Sequence, residues 1–143
     1  MKVLCITQCY TTVVRRVFKT RTFKRWSRKA NIGDDVLCAA VKEMVLGLID
    51  ADLGGRVFKK RVPVPGRGKR GGARTIVGSN LQDRWFFLFG FEKKDRETID
   101  DRELAALQSI AAALLGIESK LLERAVLEGE LEEICREEKS PAE

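Results

Sequence analysis

The 143-residue sequence has no histidine, one tyrosine (Tyr10) and only three prolines. Without histidine, the side chain that ordinarily titrates near neutral pH is missing, so any proton transfer falls to Lys, Arg, Asp, Glu, Tyr, Cys or water. Imidazole ligands for zinc are missing too. The four cysteines, Cys5, Cys9, Cys38 and Cys135, are widely separated apart from the first pair, which alone supplies too few ligands. No metal or other cofactor is expected, and reduced thiols in a cytoplasmic protein are the expectation. Apolar runs fall far short of a membrane span, and residues 1–14 are too short and interrupted for a signal peptide.

Charge is plentiful and unevenly placed. Residues 1–97 carry 22 Lys and Arg against 9 Asp and Glu, whereas residues 98–143 carry 5 against 12. A basic body followed by an acidic end suggests nucleic-acid contact by the first part. The densest stretch is 54–74, with eight cations (Arg56, Lys59, Lys60, Arg61, Arg67, Lys69, Arg70, Arg74), no acid, and glycines and prolines between them. A solvated basic loop is the plain alternative. The apolar residues on either side favour strands that hold the charges in place for a polyanion.

The residue pattern predicts an α+β domain with an antiparallel sheet. Residues 1–14 are read as an N-terminal extension, 15–128 as the folded domain and 129–143 as an acidic C-terminal tail. A first strand covers 15–20, and Thr20 or Thr22 caps a short basic helix marked by Phe23 and Trp26. Asp34 is read as the cap of a second helix with Leu37, Val41, Met44, Val45 and Leu48 on its buried stripe, stopped by Gly54 and Gly55. Strands are expected over 56–64 and 73–79 around a basic loop. The run 83–91 reads as a central strand whose Trp85, Phe87 and Phe89 are core rather than base-stacking groups. Asp100 and Glu103 have capping-box spacing at the start of a helix striped by Leu104, Leu107, Ile110, Ala111 and Leu114, and a further helix follows over 119–127.

Several phrases in this order and spacing resemble one family. They are Phe18-Lys19-Thr20 leading to Phe23 and Trp26, Leu48-Ile49-Asp50-Ala51-Asp52-Leu53-Gly54-Gly55, Lys69-Arg70-Gly71-Gly72-Ala73-Arg74-Thr75, and Phe86-Phe87-Leu88-Phe89-Gly90-Phe91 with Lys93 and Lys94 after it. Over about residues 17–134 the chain resembles the RelE/HigB-type toxins of bacterial type II toxin-antitoxin systems. The resemblance implies a small twisted antiparallel sheet with two N-terminal helices packed on one face, the RNA site on the other, and C-terminal helices. It also implies a cytoplasmic, metal-independent endoribonuclease that cuts messenger RNA, commonly on the ribosome, and is silenced by a helix-turn-helix antitoxin.

By position in that family, Arg74 matches the phosphate-binding arginine, and Lys93, Lys94 and Arg96 fall where cations follow the last strand. These four are the candidate catalytic residues. Lys59, Lys60, Arg61, Arg67, Lys69 and Arg70 are the candidate RNA-binding residues. Strand alternation sends Lys60 to the opposite face from Lys59 and Arg61, so the three cannot serve one site. Ala73 stands where relatives often have an aromatic residue, and no tyrosine follows the last strand. A non-catalytic binding module on the same basic face, or a ParE-like gyrase inhibitor, are the alternative readings.

Overall fold

Thr20 turns the chain from strand to helix. Its Oγ accepts the N–H of Phe23 at 3.2 Å, which closes β1 (Arg16–Thr20) and opens α1 (Arg21–Lys29). The computed structural model describes residues 14–66 and 68–136, with side chains in the fourth strand described from residue 72 onward. The expected extension up to residue 13 and the tail from 137 on lie outside the described residues. After α1 come α2 (Asp34–Val45), β2 (Ala51–Gly54), β3 (Val57–Val64), β4 (Gly68–Ser79), β5 (Arg84–Glu92), α3 (Asp101–Gly116), α4 (Ser119–Leu127) and β6 (Leu131–Ile134).

The class is α+β, and the strands make one open sheet in the order β2-β3-β4-β5-β1-β6. This sheet is mixed, which corrects the antiparallel expectation: β1 runs parallel to β5, with Val17 opposite Trp85 and Phe18 opposite Phe86. Burial explains the placement. Val17 and Phe18 point to opposite faces and are both out of water, so β1 needs neighbours on both sides and cover on both faces. A place between β5 and β6 supplies both.

Two strands were not expected. Residues 51–54, read as the end of a helix, form β2 instead, where the Asp52 carboxylate accepts the Gly54 N–H at 3.0 Å. Residues 131–134, read as part of an acidic end, form β6 along β1. Leu131 and Ile134 are buried, while the two acids between them meet basic partners: Arg16 grips Glu133 through Nε at 2.9 Å and Nη2 at 2.8 Å, and Lys24 reaches Glu132 at 3.1 Å. Burial of the Arg16–Glu133 fork works against the charges, yet the hydrogen bonds prevail, so Arg16 is held above and Glu133 below its ordinary pKa.

β5 separates two cores. On one face Trp85 and Phe87 pack with Phe23, Leu37, Val41 and Met44, the Phe23 and Phe87 rings lying 5.1 Å apart. On the other, Phe86, Leu88 and Phe91 pack with Phe18, Leu107, Ala111 and Leu122. Each fully buried aromatic of this kind stabilises the fold by roughly 1.5–3 kcal/mol relative to exposure. Close approach fixes the helices in place: a Cβ at Gly90 would sit 2.3 Å from the Trp26 ring, and one at Gly78 would sit 2.9 Å from Ala111 Cβ.

Some local details differ from the sequence reading. Gly33, not Asp34, is the N-cap of α2, because the Asp34 carboxylate is drawn 2.8 Å from the buried Lys19 ammonium. Val45 and Leu48 are exposed, since the helix ends at Val45 and the chain turns away. The capping box of α3 is present in both directions, Asp100 to Glu103 N–H and Glu103 to Asp100 N–H.

The expectation of reduced thiols does not hold for one pair. Cys38 of α2 and Cys135 beyond β6 form a disulfide across a sequence separation of 97 residues. Closing so long a loop restricts the unfolded chain, worth about 4–5 kcal/mol in the chain-entropy account. Thermal unfolding with and without dithiothreitol measures this: the reduced protein and Cys38→Ser are expected to melt several degrees lower, and an unchanged midpoint would contradict a stabilising bridge.

Candidate nucleic-acid interface

The β3–β4 ladder decides which basic side chains meet. Lys59 lies opposite Ile76, Lys60 opposite Thr75 and Arg61 opposite Arg74, and residues directly opposite in an antiparallel pair share a face. Arg74 is in turn opposite Phe91 of β5. Arg61, Arg74 and Phe91 therefore form one row across three strands, spaced by the usual strand separation of about 4.8 Å. Arg96 completes the row from the turn after β5, its guanidinium 5.6 Å from the Phe91 ring centre and 5.8 Å from that of Phe89.

Two of these arginines are already partnered. Arg61 donates its backbone N–H and its Nε to the Asp50 carboxylate, at 2.6 and 3.1 Å. Burial alone would raise the Asp50 pKa, but the Arg61 hydrogen bonds outweigh it and hold the carboxyl below its ordinary value. Arg96 is bonded to Glu103 and, through Nε, to the Thr98 carbonyl at 3.1 Å. The hydrogen bond from Arg96, helped by the Asp100 N–H, holds Glu103 below its ordinary pKa.

Arg74 differs from both. It is half-buried, and its Nη1 is shielded from solvent without a hydrogen-bond partner among the described residues. A buried donor left unpaired costs about 1–3 kcal/mol, more for a charged group, and an anion with two oxygens is the complement its fork lacks. The row thus has two arginines held in place by acids and one with a shielded donor left unpaired among the described residues.

The other candidates fall into distinct places. Lys59 is half-buried on the Arg61 side of β3. Lys60 faces the opposite core, 4% exposed, with its ammonium 2.7 Å from Glu43 and 2.8 Å from the Leu48 carbonyl, where it ties β3 to the end of α2. Lys93 and Lys94 are exposed in the turn between Phe91 and Arg96. Arg67 lies outside the described residues, as do the side chains of Lys69 and Arg70. The face opposite α1 and α2 is not bare: α3 and α4 pack over Phe86, Leu88 and Phe91, and the basic row lies beside this cover. Among the described residues no cluster of His, Cys, Asp and Glu suits a metal ion.

Residues 15–134 match the family described as the RelE toxin of the RelE/RelB toxin-antitoxin system. The chain belongs to the RelE toxin family. No curated protein matches it. Membership makes the chain a toxin of a toxin-antitoxin system and implies an antitoxin as its partner. In this RelE-family toxin, sequence reasoning missed Asp50 and Glu103 as the groups that orient Arg61 and Arg96. The capping-box spacing found Glu103 but not its second bond, and nothing in the spacing joins Asp50 to Arg61 eleven residues on.

The Asp50–Arg61 pair has a pH signature. A carboxyl whose folded pKa lies below the ordinary 3.8 contributes stability that is complete above that value and is lost as the pH falls through it toward the lower folded pKa. Asp50→Asn is expected to lose roughly 0.2–1 kcal/mol at neutral pH and to converge with the parent below about pH 4. Urea unfolding at a series of pH values tests this, and a difference independent of pH would contradict the pairing.

Proposed function

We propose that this toxin is a metal-independent endoribonuclease that cuts messenger RNA in the cytoplasm, in association with the ribosome. The observation that carries the reading is Arg74: a half-buried arginine with an inner donor unpaired among the described residues, in a row with two further guanidinium groups. The chemistry such a site supports is in-line attack of a ribose 2′-oxygen on the adjacent phosphorus. The bond from phosphorus to the 5′-oxygen breaks, leaving a 2′,3′-cyclic phosphate and a 5′-hydroxyl.

Arg74 takes two non-bridging phosphoryl oxygens and offsets the charge that gathers on them as attack proceeds. Its neighbours make this effective because they are fixed beforehand: Asp50 holds Arg61, and Glu103 with the Phe91 ring holds Arg96. Proton movement falls to lysine in a chain without histidine. Lys59, on the same face of the neighbouring strand, is our candidate to take the 2′-hydroxyl proton as a neutral amine, and the ammonium of Lys93 or Lys94 to protonate the departing 5′-oxygen. The antitoxin silences the toxin by binding it.

Arg74→Ala is expected to reduce cleavage of an RNA oligonucleotide by about 10²–10³-fold. Its thermal midpoint should not fall, because the change removes an unpaired buried donor rather than a bond. Growth arrest on induction should weaken in parallel. Undiminished cleavage by the variant would overturn the assignment of this site.

A further inference from the structure

Helix α1 carries a charge pattern that the cleavage site does not use. Its nine residues include Arg21, Lys24, Arg25, Arg28 and Lys29 and no acid. Residues four apart on a helix are neighbours, so Arg21 and Arg25, Lys24 and Arg28, and Arg25 and Lys29 are all like-charge pairs that weaken the helix. Among the described residues, Lys24 alone of the five has an acid partner, Glu132 at 3.1 Å. Arg25, Arg28 and Lys29 are exposed and have no ion-pair partner among the described residues. Arg21, Arg25 and Arg28, spaced by four and three, form one solvent-facing stripe.

The helix is on the other side of the sheet from Arg74. Phe23 packs on Phe87 and Trp26 covers Gly90, whereas Arg74 shares its face with Phe91 and Ile76. Lys93 and Lys94 begin three residues beyond Gly90, in the turn that leads from the Trp26 contact to Arg96. Lys93 and Lys94 thus lie in sequence between the part of β5 that α1 covers and Arg96 of the basic row.

We propose that α1 is a second RNA-backbone surface, which grips phosphates of a folded RNA through Arg25, Arg28 and Lys29 while the strand to be cut lies at Arg74. The choice of RNA rests on the ribonuclease reading. The case for a polyanion rests on the helix itself: three like-charge pairs are tolerated, and among the described residues no acid pairs with Arg25, Arg28 or Lys29. Phosphate contact would be independent of base sequence and steeply dependent on salt.

The test uses the full chain with Arg25, Arg28 and Lys29 all changed to Gln, and Arg124→Gln as a control for loss of an exposed cation elsewhere. Binding to a folded transcript made with 2′-fluoro nucleotides, which resists 2′-oxygen attack, is measured across a salt series. Cleavage of a short unstructured oligonucleotide is measured separately. The triple variant is expected to bind about 10–100-fold more weakly, with the slope of log affinity against log salt flattened by about 2–3, and to cleave the short oligonucleotide at the parent rate. Parent-like affinity and slope in the variant would overturn the inference, as would failure of the parent to bind folded RNA. Equal binding to duplex DNA with the same dependence on the helix would overturn the choice of RNA. A parent that binds the transcript with this helix dependence but cuts nothing would leave the surface standing and remove the ribonuclease reading.

Discussion

The burial of β5 on both faces is the constraint from which the rest of the architecture follows. Trp85 and Phe87 must be covered on one side, Phe86, Leu88 and Phe91 on the other, and the backbone must be paired along both edges. α1 and α2 meet the first need, α3 and α4 the second. β4 and β1 meet the third, which is why β1 is driven into the interior in parallel. The same strand also positions the basic row. Its end delivers Phe91 beside Arg74 and leads directly into Lys93, Lys94 and Arg96, so the packing that stabilises the fold also aligns the basic row.

The distribution of acids separates structural from available charge. The acidic C-terminal part of the chain folds back on the basic N-terminal part: Glu133 and Glu123 take Arg16, and Glu132 takes Lys24. Asp34 takes Lys19, Glu43 takes Lys60, and Asp50 and Glu103 take Arg61 and Arg96. Among the described residues, the cations left without an acid partner include Arg74, whose Nη1 is shielded and unpaired, the outer stripe of α1, and the exposed Lys93 and Lys94. The net positive charge of residues 1–97 is thereby partly offset in the folded protein.

Much of this was legible from residue pattern. The continuous aromatic run marked β5 as buried on both faces, the Asp100–Glu103 spacing marked the start of α3, and period-two alternation separated Lys60 from Lys59 and Arg61. The rest required tertiary information. Four-residue strands such as β2 and β6 carry too short a pattern to stand out, and Glu132 and Glu133 gave β6 the composition of a tail because their basic partners are more than a hundred residues away in sequence. Pairing of Cys38 with Cys135 likewise depends on β6 being in the sheet. The candidate site was found as a set of cations, but not ranked. Only the partners of Arg61 and Arg96, and the lack of one for Arg74 Nη1, give those cations different roles.

The central claim is that arginine-held phosphate chemistry, driven by the RNA's own 2′-oxygen, cuts the chain. End-group analysis of RNA treated with the purified toxin in EDTA tests it most directly. The account predicts fragments bearing 5′-hydroxyl and 2′,3′-cyclic phosphate ends, with 2′-deoxy substitution at the cleaved position blocking the cut. Fragments with 5′-phosphate ends, cleavage abolished by EDTA, or cutting that persists without the 2′-hydroxyl would contradict it.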